Sequence, residues 1–160
     1  GDVDLGVVTY IMEKEMISPS VASTLFNKHS GVLGVSGISS DMRDIDNAIN
    51  EGNERAKLAL DMYEYKIKKY IGSYLAALNG ADILVFTGGV GENQVALRER
   101  ICDGLTFAGV KIDKKINSRS RGQEELLSTE YSAVKVVVIP TDEEFMIASD
   151  TVSIIKILNK

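Results

Sequence analysis

The chain has 160 residues, of which 44% are hydrophobic and 26% charged, a composition typical of soluble globular proteins and unlike that of disordered chains. A formal net charge of −5 argues against broad binding to nucleic-acid phosphates, and no apolar run reaches the roughly 18 residues of a membrane span. The single cysteine, Cys102, excludes an internal disulfide framework, and no export leader is visible, so we expect a cytoplasmic protein.

The first third of the chain predicts short helices. Asp4 is placed to cap a helix over roughly residues 5–16, and Ser18-Pro19 is a start signal for a second helix. The segment "SGVLGVSGISSDMRD" is rich in glycine and serine, which predicts a loop with a short extended piece. Another helix is expected to begin near Asp41.

A single long helix is predicted next. After Gly52, apolar residues recur at spacings of three and four as far as Leu78, and Asn79-Gly80 is a stop signal. The resulting apolar stripe suits either the core of this chain or the surface of a partner.

The second half predicts strands that alternate with helices. The run "ADILVFTGG" is typical of a strand buried on both faces, and residues 93–103 follow as a helix with Leu97, Ile101 and Cys102 inward. Residues 113–132 are expected to form turns and loop. The segment "AVKVVVIP" then predicts a second buried strand, and a final helix follows. This order implies parallel strands joined by crossover helices, and hence an α/β fold.

The first strand ends in "TGGVGEN", residues 87–93, which we call the glycine loop. Phosphate-binding loops of known type need a lysine or a third glycine, and position 94 is Gln94 instead. Its glycines therefore have two readings. They are either residues of a tight turn or a backbone surface against which a ligand lies, at the sheet edge where α/β proteins usually bind ligands.

The second strand ends in "PTDEE", residues 140–144, which we call the acidic turn. Thr141 is predicted to cap the final helix, with Glu144 completing a capping box. Asp142 and Glu143 then either complement the helix dipole or face the glycine loop across one sheet edge. In the second case they would suit Mg²⁺ beside a nucleotide, because Mg²⁺ prefers one or two carboxylates together with phosphate and water.

A third candidate lies in "SSDMRD", where Asp41 and Asp44 fit the cap and first turn of a helix. Arg43 does not fit that account, because a cation in the first turn opposes the helix dipole. The arginine either contacts a ligand or is simply solvated.

In five segments the chain resembles the acetate/propionate kinase family, which belongs to the larger group of sugar kinase, Hsp70 and actin folds. The matching pieces occur in family order and spacing: "GDVD", "GVLGVSGISSDMRD", "GNERAKLALDMYEYKIKKYIGSYLAALNGADILVFTGGVGEN", "RERICDGLTFAGVKID" and "VKVVVIPTDEEFMIASDT". The resemblance implies an α/β, ribonuclease H-like domain of the actin/Hsp70/sugar kinase type. It would have a mixed sheet with parallel strands and crossover helices.

The resemblance also implies which part of the enzyme this is. Residues 1–160 are expected to form a single nucleotide-binding, carboxyl-terminal domain of a two-domain kinase whose amino-terminal domain is absent. The carboxylate-substrate pocket and the catalytic residues would belong to the absent part. No catalytic residue is therefore assigned within this chain.

Family site residues carry over to three places. The nucleotide pocket is implied to include Asp41, Met42, Arg43, Gly89, Val90, Gly91, Glu92 and Asn93, and Glu143 is implied to bind Mg²⁺. Asp142 stands where the family usually has asparagine, which adds a negative charge beside that metal site. For Glu92 we expect a loop that lies along the nucleoside and inner phosphates, where its carboxylate accepts hydrogen bonds from neighbouring backbone or ribose groups.

The implied activity is reversible transfer of the γ-phosphoryl group of ATP to acetate, which gives acetyl phosphate and ADP. The implied enzyme is a cytoplasmic homodimer that needs Mg²⁺ and meets acetate through the missing domain, so this chain alone is expected to be inactive. Two alternatives stay open: half of a propionate kinase, and a non-catalytic nucleotide-binding or dimerisation module.

Overall fold

The computed structural model describes residues 2–158, which fall into two compact units with a boundary between Lys69 and Tyr70. The helices are α1 (Leu5–Lys14), α2 (Pro19–Lys28), α3 (Gly31–Ser36), α4 (Met42–Asn50), α5 (Glu54–Leu78), α6 (Gly88–Asn93), α7 (Val95–Asp103), α8 (Lys114–Arg119) and α9 (Glu143–Leu158). The strands are β1 (Ile83–Phe86), β2 (Glu125–Leu126) and β3 (Lys135–Val138), and Thr106–Ala108 forms one 3₁₀ turn.

The first unit consists of helices whose ends follow local signals. The Asp4 carboxylate accepts a hydrogen bond of 2.7 Å from the Gly6 N–H at the start of α1, and the Ser18 hydroxyl accepts one from the Val21 N–H of α2. Both predicted caps are thus confirmed. The predicted loop over "SGVLGVSGISSDMRD" is wrong in part, because Gly31–Ser36 forms α3. Gly37, at φ 70°, closes this short helix by donating to the Leu33 carbonyl.

The long helix α5 is present as expected. It ends at Asn79 and Gly80, which have φ angles of 56° and 114°, and the Gly80 N–H donates to the Leu75 carbonyl at 2.8 Å. Such a left-handed ending satisfies carbonyls that the last helical turn leaves open. The predicted stop signal is therefore confirmed.

The second unit contains a three-stranded sheet in the order β1-β3-β2. Strands β1 and β3 are parallel, and α6, α7 and α8 lie in the connection between them, while β2 pairs antiparallel with β3. The sheet is therefore mixed, with a helical crossover between parallel strands, as predicted. Apolar side chains of β3, of α7 and of the residues that follow α7 and β2 fill the core of this unit, including Leu97, Ile101, Cys102, Leu105, Leu127, Val136 and Val138.

Two predictions for this unit need correction. Strand β1 is not buried on both faces, because Ile83 and Val85 are 57% and 45% exposed, and β1 is an edge strand of the described sheet. Residues 113–132 are not only turns and loop, since they include α8 and β2. Asp113 caps α8 by accepting hydrogen bonds from the N–H groups of Lys115 and Ile116.

The last helix, α9, has no buried residue in the described chain. Its apolar side chains face outward, including Phe145, Ile147, Ile154 and Leu158. Among residues 2–158, no helix combines the length and the apolar character that a membrane crossing requires.

Candidate functional site

The glycine loop and the acidic turn leave the same edge of the sheet. Phe86, the last residue of β1, is the register partner of Val138, the last residue of β3. One residue later the Ile139 N–H donates to the Phe86 carbonyl at 3.0 Å, which extends the parallel pairing to the start of the acidic turn. The two strands expected to be parallel are therefore parallel neighbours.

Most of the glycine loop is a short helix, α6, and at two of its positions the backbone geometry favours glycine. Gly88 has a φ of 69°, in the left-handed region that favours glycine. A β-carbon on Gly91 would lie 3.2 Å from the carbonyl carbon of Phe86, so the loop packs directly on the end of β1. Gly89 differs from both, because a β-carbon there would meet no atom within 4 Å and its φ is ordinary.

The Glu92 carboxylate reaches across to the acidic turn. Its Oε1 accepts hydrogen bonds from the backbone N–H of Thr141 at 2.9 Å and from the Thr141 hydroxyl at 3.1 Å. The acceptor is half-buried and forms part of a link between the ends of β1 and β3. The sequence predicts that Glu92 accepts hydrogen bonds from neighbouring backbone or ribose groups. In the structure its backbone partner is the N–H of Thr141.

The predicted capping box at Thr141 and Glu144 is wrong. Helix α9 begins at Glu143, and the Asp142 carboxylate accepts a hydrogen bond of 3.0 Å from the Phe145 N–H. Asp142 is thus the capping residue, and it is not left free as the sequence suggested. The shift by one residue follows from Glu92, which engages both the N–H and the hydroxyl of Thr141.

Glu143, the predicted metal ligand, lies in the first turn of α9 and is exposed. Within residues 2–158, no group of three or more histidine, cysteine, aspartate or glutamate side chains is arranged to hold a metal. A single carboxylate still fits a Mg²⁺ ion whose other ligands are phosphate oxygens and water.

The segment Asp41-Met42-Arg43 lies in the first unit, whereas the glycine loop and Glu143 lie in the second. Asp41 caps α4 by accepting from the Arg43 N–H, and Met42 is buried. The Arg43 guanidinium donates back to the Asp41 carboxylate, with Nη2 2.6 Å from Oδ2 and Nε 3.1 Å from Oδ1. These bonds lower the pKa of Asp41 to about 2. A cation in this first turn therefore has a local carboxylate partner, which the sequence pattern did not reveal.

Three polar residues on the buried side of the glycine loop were not predicted from the sequence. Arg98, Asn117 and Ser120 are fully buried, and the Arg98 guanidinium donates to the carbonyl oxygens of Gly91 and Glu92. A signal for Arg98 existed, because it stands four residues before Cys102 and so shares a helix face with a residue predicted to be inward.

Comparison with known proteins gives a consistent family. Residues 1–149 match the family model described as the acetokinase family. The chain is 64% identical over 155 residues to an acetate kinase of Azobacteroides pseudotrichonymphae genomovar. CFP2, and 58% identical over 156 residues to an acetate kinase of Porphyromonas gingivalis strain W83. These alignments cover 97% and 98% of this chain and 39% of each relative, so the chain spans about two fifths of their length.

Solved structures agree with these relatives. The crystal structure of Porphyromonas gingivalis acetate kinase matches with a TM-score of 0.88 at 57% identity, over 97% of this chain and 39% of that one. A propionate kinase from Francisella tularensis matches with a TM-score of 0.81 at 35% identity, over 92% of this chain and 37% of that one. These neighbours have the sugar kinase, Hsp70 and actin type of fold, in agreement with the mixed α/β sheet. The chain belongs to the acetokinase family.

Proposed function

We propose that this chain is the nucleotide-binding, carboxyl-terminal part of an acetate kinase, which reversibly transfers the γ-phosphoryl group of ATP to acetate. The observation that carries the proposal is the hydrogen-bonded link between the segments that follow β1 and β3. The glycine loop and the acidic turn follow neighbouring parallel strands, and Glu92 bonds to Thr141 across them. Ligands of open α/β sheets usually bind outside such strand ends.

In this proposal Gly89, Val90, Gly91, Glu92 and Asn93 form one wall of the nucleotide pocket. The Asn93 side-chain amide donates to the Gly89 carbonyl at 3.0 Å, and Gly91 packs on Phe86, so one side of the loop is occupied by the protein itself. The open side at Gly89 is where the backbone can approach a ligand closely. Asp41, Met42 and Arg43, which the family resemblance assigns to nucleotide binding, are proposed to contact nucleotide as well.

Glu143 is the proposed magnesium ligand. When bound, Mg²⁺ would neutralise charge on the β- and γ-phosphates and orient them for transfer. The chain's own contribution is one exposed carboxylate, set in position by Asp142, which caps the helix that carries it. The extra acidic charge at Asp142 is already used as an acceptor for the Phe145 N–H.

Catalysis is proposed to need more than this chain. Phosphoryl transfer depends on several positioned groups acting together, and no residue of this chain is assigned a catalytic role. We therefore expect no acetate-dependent ATP consumption by the purified chain. Sustained turnover that depends on acetate and on Mg²⁺ would contradict this part of the proposal.

We propose acetate rather than propionate as the substrate, because the relatives at 64% and 58% identity are named acetate kinases. A propionate kinase among the structural neighbours keeps propionate as the second candidate. The proposed substrate pocket, cytoplasmic location and homodimer are properties of the whole enzyme. The third candidate, a non-catalytic nucleotide-binding or dimerisation module, is distinguished by joining the chain to the amino-terminal domain of an acetate kinase. An enzyme half would then give kinase activity, and a non-catalytic module would not.

The test is calorimetric titration of the chain with Mg·ADP, followed by backbone amide NMR. We expect binding, with the largest shifts at residues 41–43 and 89–93. Gly89→Ala should weaken binding about ten-fold, because the new methyl group occupies the side on which the backbone would approach the nucleotide. Since the fold has room there, stability should stay within about 0.5 kcal/mol of the original chain.

Gly72→Ala is the matched control, because Gly72 lies in α5 and a β-carbon there also meets no atom within 4 Å. It should leave affinity unchanged. Absence of binding by the folded chain at millimolar Mg·ADP would contradict the proposed nucleotide site, as would equal affinities for the two alanine variants.

A further inference from the structure

Arg98 is a fully buried cation directly behind the glycine loop. Its side chain is 0% exposed, and it extends from α7 to two separate segments of the second unit. Nη1 donates to the carbonyl oxygens of Gly91 and Glu92, both at 2.8 Å. Nε donates to the side-chain oxygen of Asn117 at 2.9 Å, and Nη2 donates to the carbonyl oxygen of Ser120 at 2.6 Å.

These acceptors are neutral oxygens, which makes the burial costly. Burial lowers the pKa of Arg98, yet an arginine side chain stays charged in proteins. Removing a guanidinium from water costs several kcal/mol unless its donors are all well placed. A planar fork with five N–H donors meets acceptors on two chain segments at once in a fixed geometry, whereas a lysine ammonium has three donors on a single atom and an apolar side chain has none.

The acceptors at the loop are the last carbonyls of α6, which a helix of this length leaves without internal partners. Asn117 completes the arrangement by donating through its own amide to the Val95 carbonyl at 3.0 Å. The Arg98 side chain thus joins the end of the glycine loop to α8 from the buried side. On the other side, the Glu92 carboxylate joins the same loop to Thr141.

We propose that Arg98 is a positioning residue for the nucleotide loop, one that holds the backbone of Gly91 and Glu92 in its binding geometry before nucleotide arrives. The inference rests on the proposed function of the loop. A segment with three glycines in four positions loses much conformational freedom when it orders. If Arg98 keeps it ordered in the free protein, nucleotide binding does not bear that entropy cost.

The test compares Arg98→Met with Arg98→Lys in the 160-residue chain. Methionine fills similar space without charge or donors, and lysine keeps the charge but not the fork. For Arg98→Met we expect backbone amides of residues 91–94 to exchange with deuterium at least about ten-fold faster than in the original chain. Its Mg·ADP affinity, measured well below the melting temperature, should fall about ten-fold, with Arg98→Lys in between.

Ile101→Val is the control for a purely structural role. Ile101 is also fully buried on α7, and its apolar side chain makes no hydrogen bond to the loop. This variant should lower the melting temperature and leave both loop exchange and affinity unchanged. If Arg98→Met does not fold, Arg98→Lys carries the comparison.

The two outcomes of the test separate the two proposals. A folded Arg98 variant with unchanged loop exchange and unchanged affinity would overturn the positioning role. An original chain that does not bind Mg·ADP would instead overturn the proposed nucleotide function, and the exchange measurement would then decide whether Arg98 orders the loop.

Discussion

Glu92 and Thr141 stand 49 positions apart in sequence, and two hydrogen bonds of 2.9 and 3.1 Å join them at the ends of neighbouring parallel strands. One carboxylate oxygen accepts both. This relationship gives the glutamate of a glycine-rich loop a role in the protein itself, since it fixes the loop to the turn that precedes α9. A carboxylate held in this way has its Oε1 directed at protein donors.

The Glu92–Thr141 link should contribute measurably to stability. Glu92→Ala removes the acceptor of both bonds, and we expect the free energy of unfolding to fall by about 1–2 kcal/mol, because bonds to a charged acceptor are stronger than neutral ones. Thr141→Val removes only the hydroxyl bond and should cost less, about 0.5–1 kcal/mol. Urea denaturation of both single variants and the double variant gives the coupling energy. Strictly additive effects would show that the hydroxyl bond contributes nothing, because the backbone bond from Thr141 is still present in Thr141→Val.

The pairing of Asp41 with Arg43 should be visible as a titration. The carboxyl carbon of Asp41, followed by NMR, is expected to titrate near pH 2, and in Arg43→Ala its pKa should rise towards the ordinary value of 3.8. Because the folded pKa lies below the unfolded one, the stabilisation is fully present above pH 3.8 and is lost as the pH falls through about 2. The stability difference between the two proteins should therefore shrink across that window.

Lys57→Ala serves as the comparison for this titration. It removes another exposed ion pair of the first unit, with Asp61, and should leave the Asp41 titration in place. An Asp41 pKa that stays near 2 in Arg43→Ala would show that the arginine is not its cause.

Asp142 should be replaceable by asparagine but not by alanine. Both aspartate and asparagine can accept the Phe145 N–H at the start of α9, whereas alanine leaves that donor open. We expect Asp142→Ala to destabilise the first turn locally by about 1 kcal/mol, with Asp142→Asn close to the original chain. Amide exchange at residues 145 and 146 measures the effect. Equal amide exchange in Asp142→Ala and Asp142→Asn would contradict the cap at Asp142 and favour Thr141 as the capping residue.

Cys102 should be inert in the native protein. Burial raises the pKa of its thiol from 9.0 to about 12, so the reactive thiolate is rare at pH 8. Labelling by a thiol reagent is expected to be slower than in the guanidinium-unfolded chain by on the order of a hundred-fold or more. The same shift means that the folded state keeps a proton that the unfolded state loses above pH 9.0, so stability falls as the pH rises from there towards 12. Equal labelling rates for the native and unfolded protein would contradict this burial.

Local features of the fold were readable from short stretches of sequence. The caps at Asp4, Ser18 and Asp41 and the stop at Asn79-Gly80 each depend on a few neighbouring residues, and all are present. The inward face of α7 at Leu97, Ile101 and Cys102 follows from helical periodicity alone. The errors have two causes. Thr141 does not cap α9, because the distant Glu92 engages its N–H group and its hydroxyl. Helix α8 and strand β2 formed in a segment without strong periodicity.

The sequence by itself determined the longer helices, the strands β1 and β3, the α/β class and the family resemblance, because these depend on periodicity, caps and motif spacing within short windows. Only the tertiary structure decided which polar groups meet. Arg98 reaches carbonyls of Gly91 and Glu92 on one side and Ser120 on the other, and Glu92 reaches Thr141, through contacts between residues up to 49 positions apart. Such contacts follow from strand pairing and helix packing, which bring together side chains whose spacing in the sequence carries no signal of their contact.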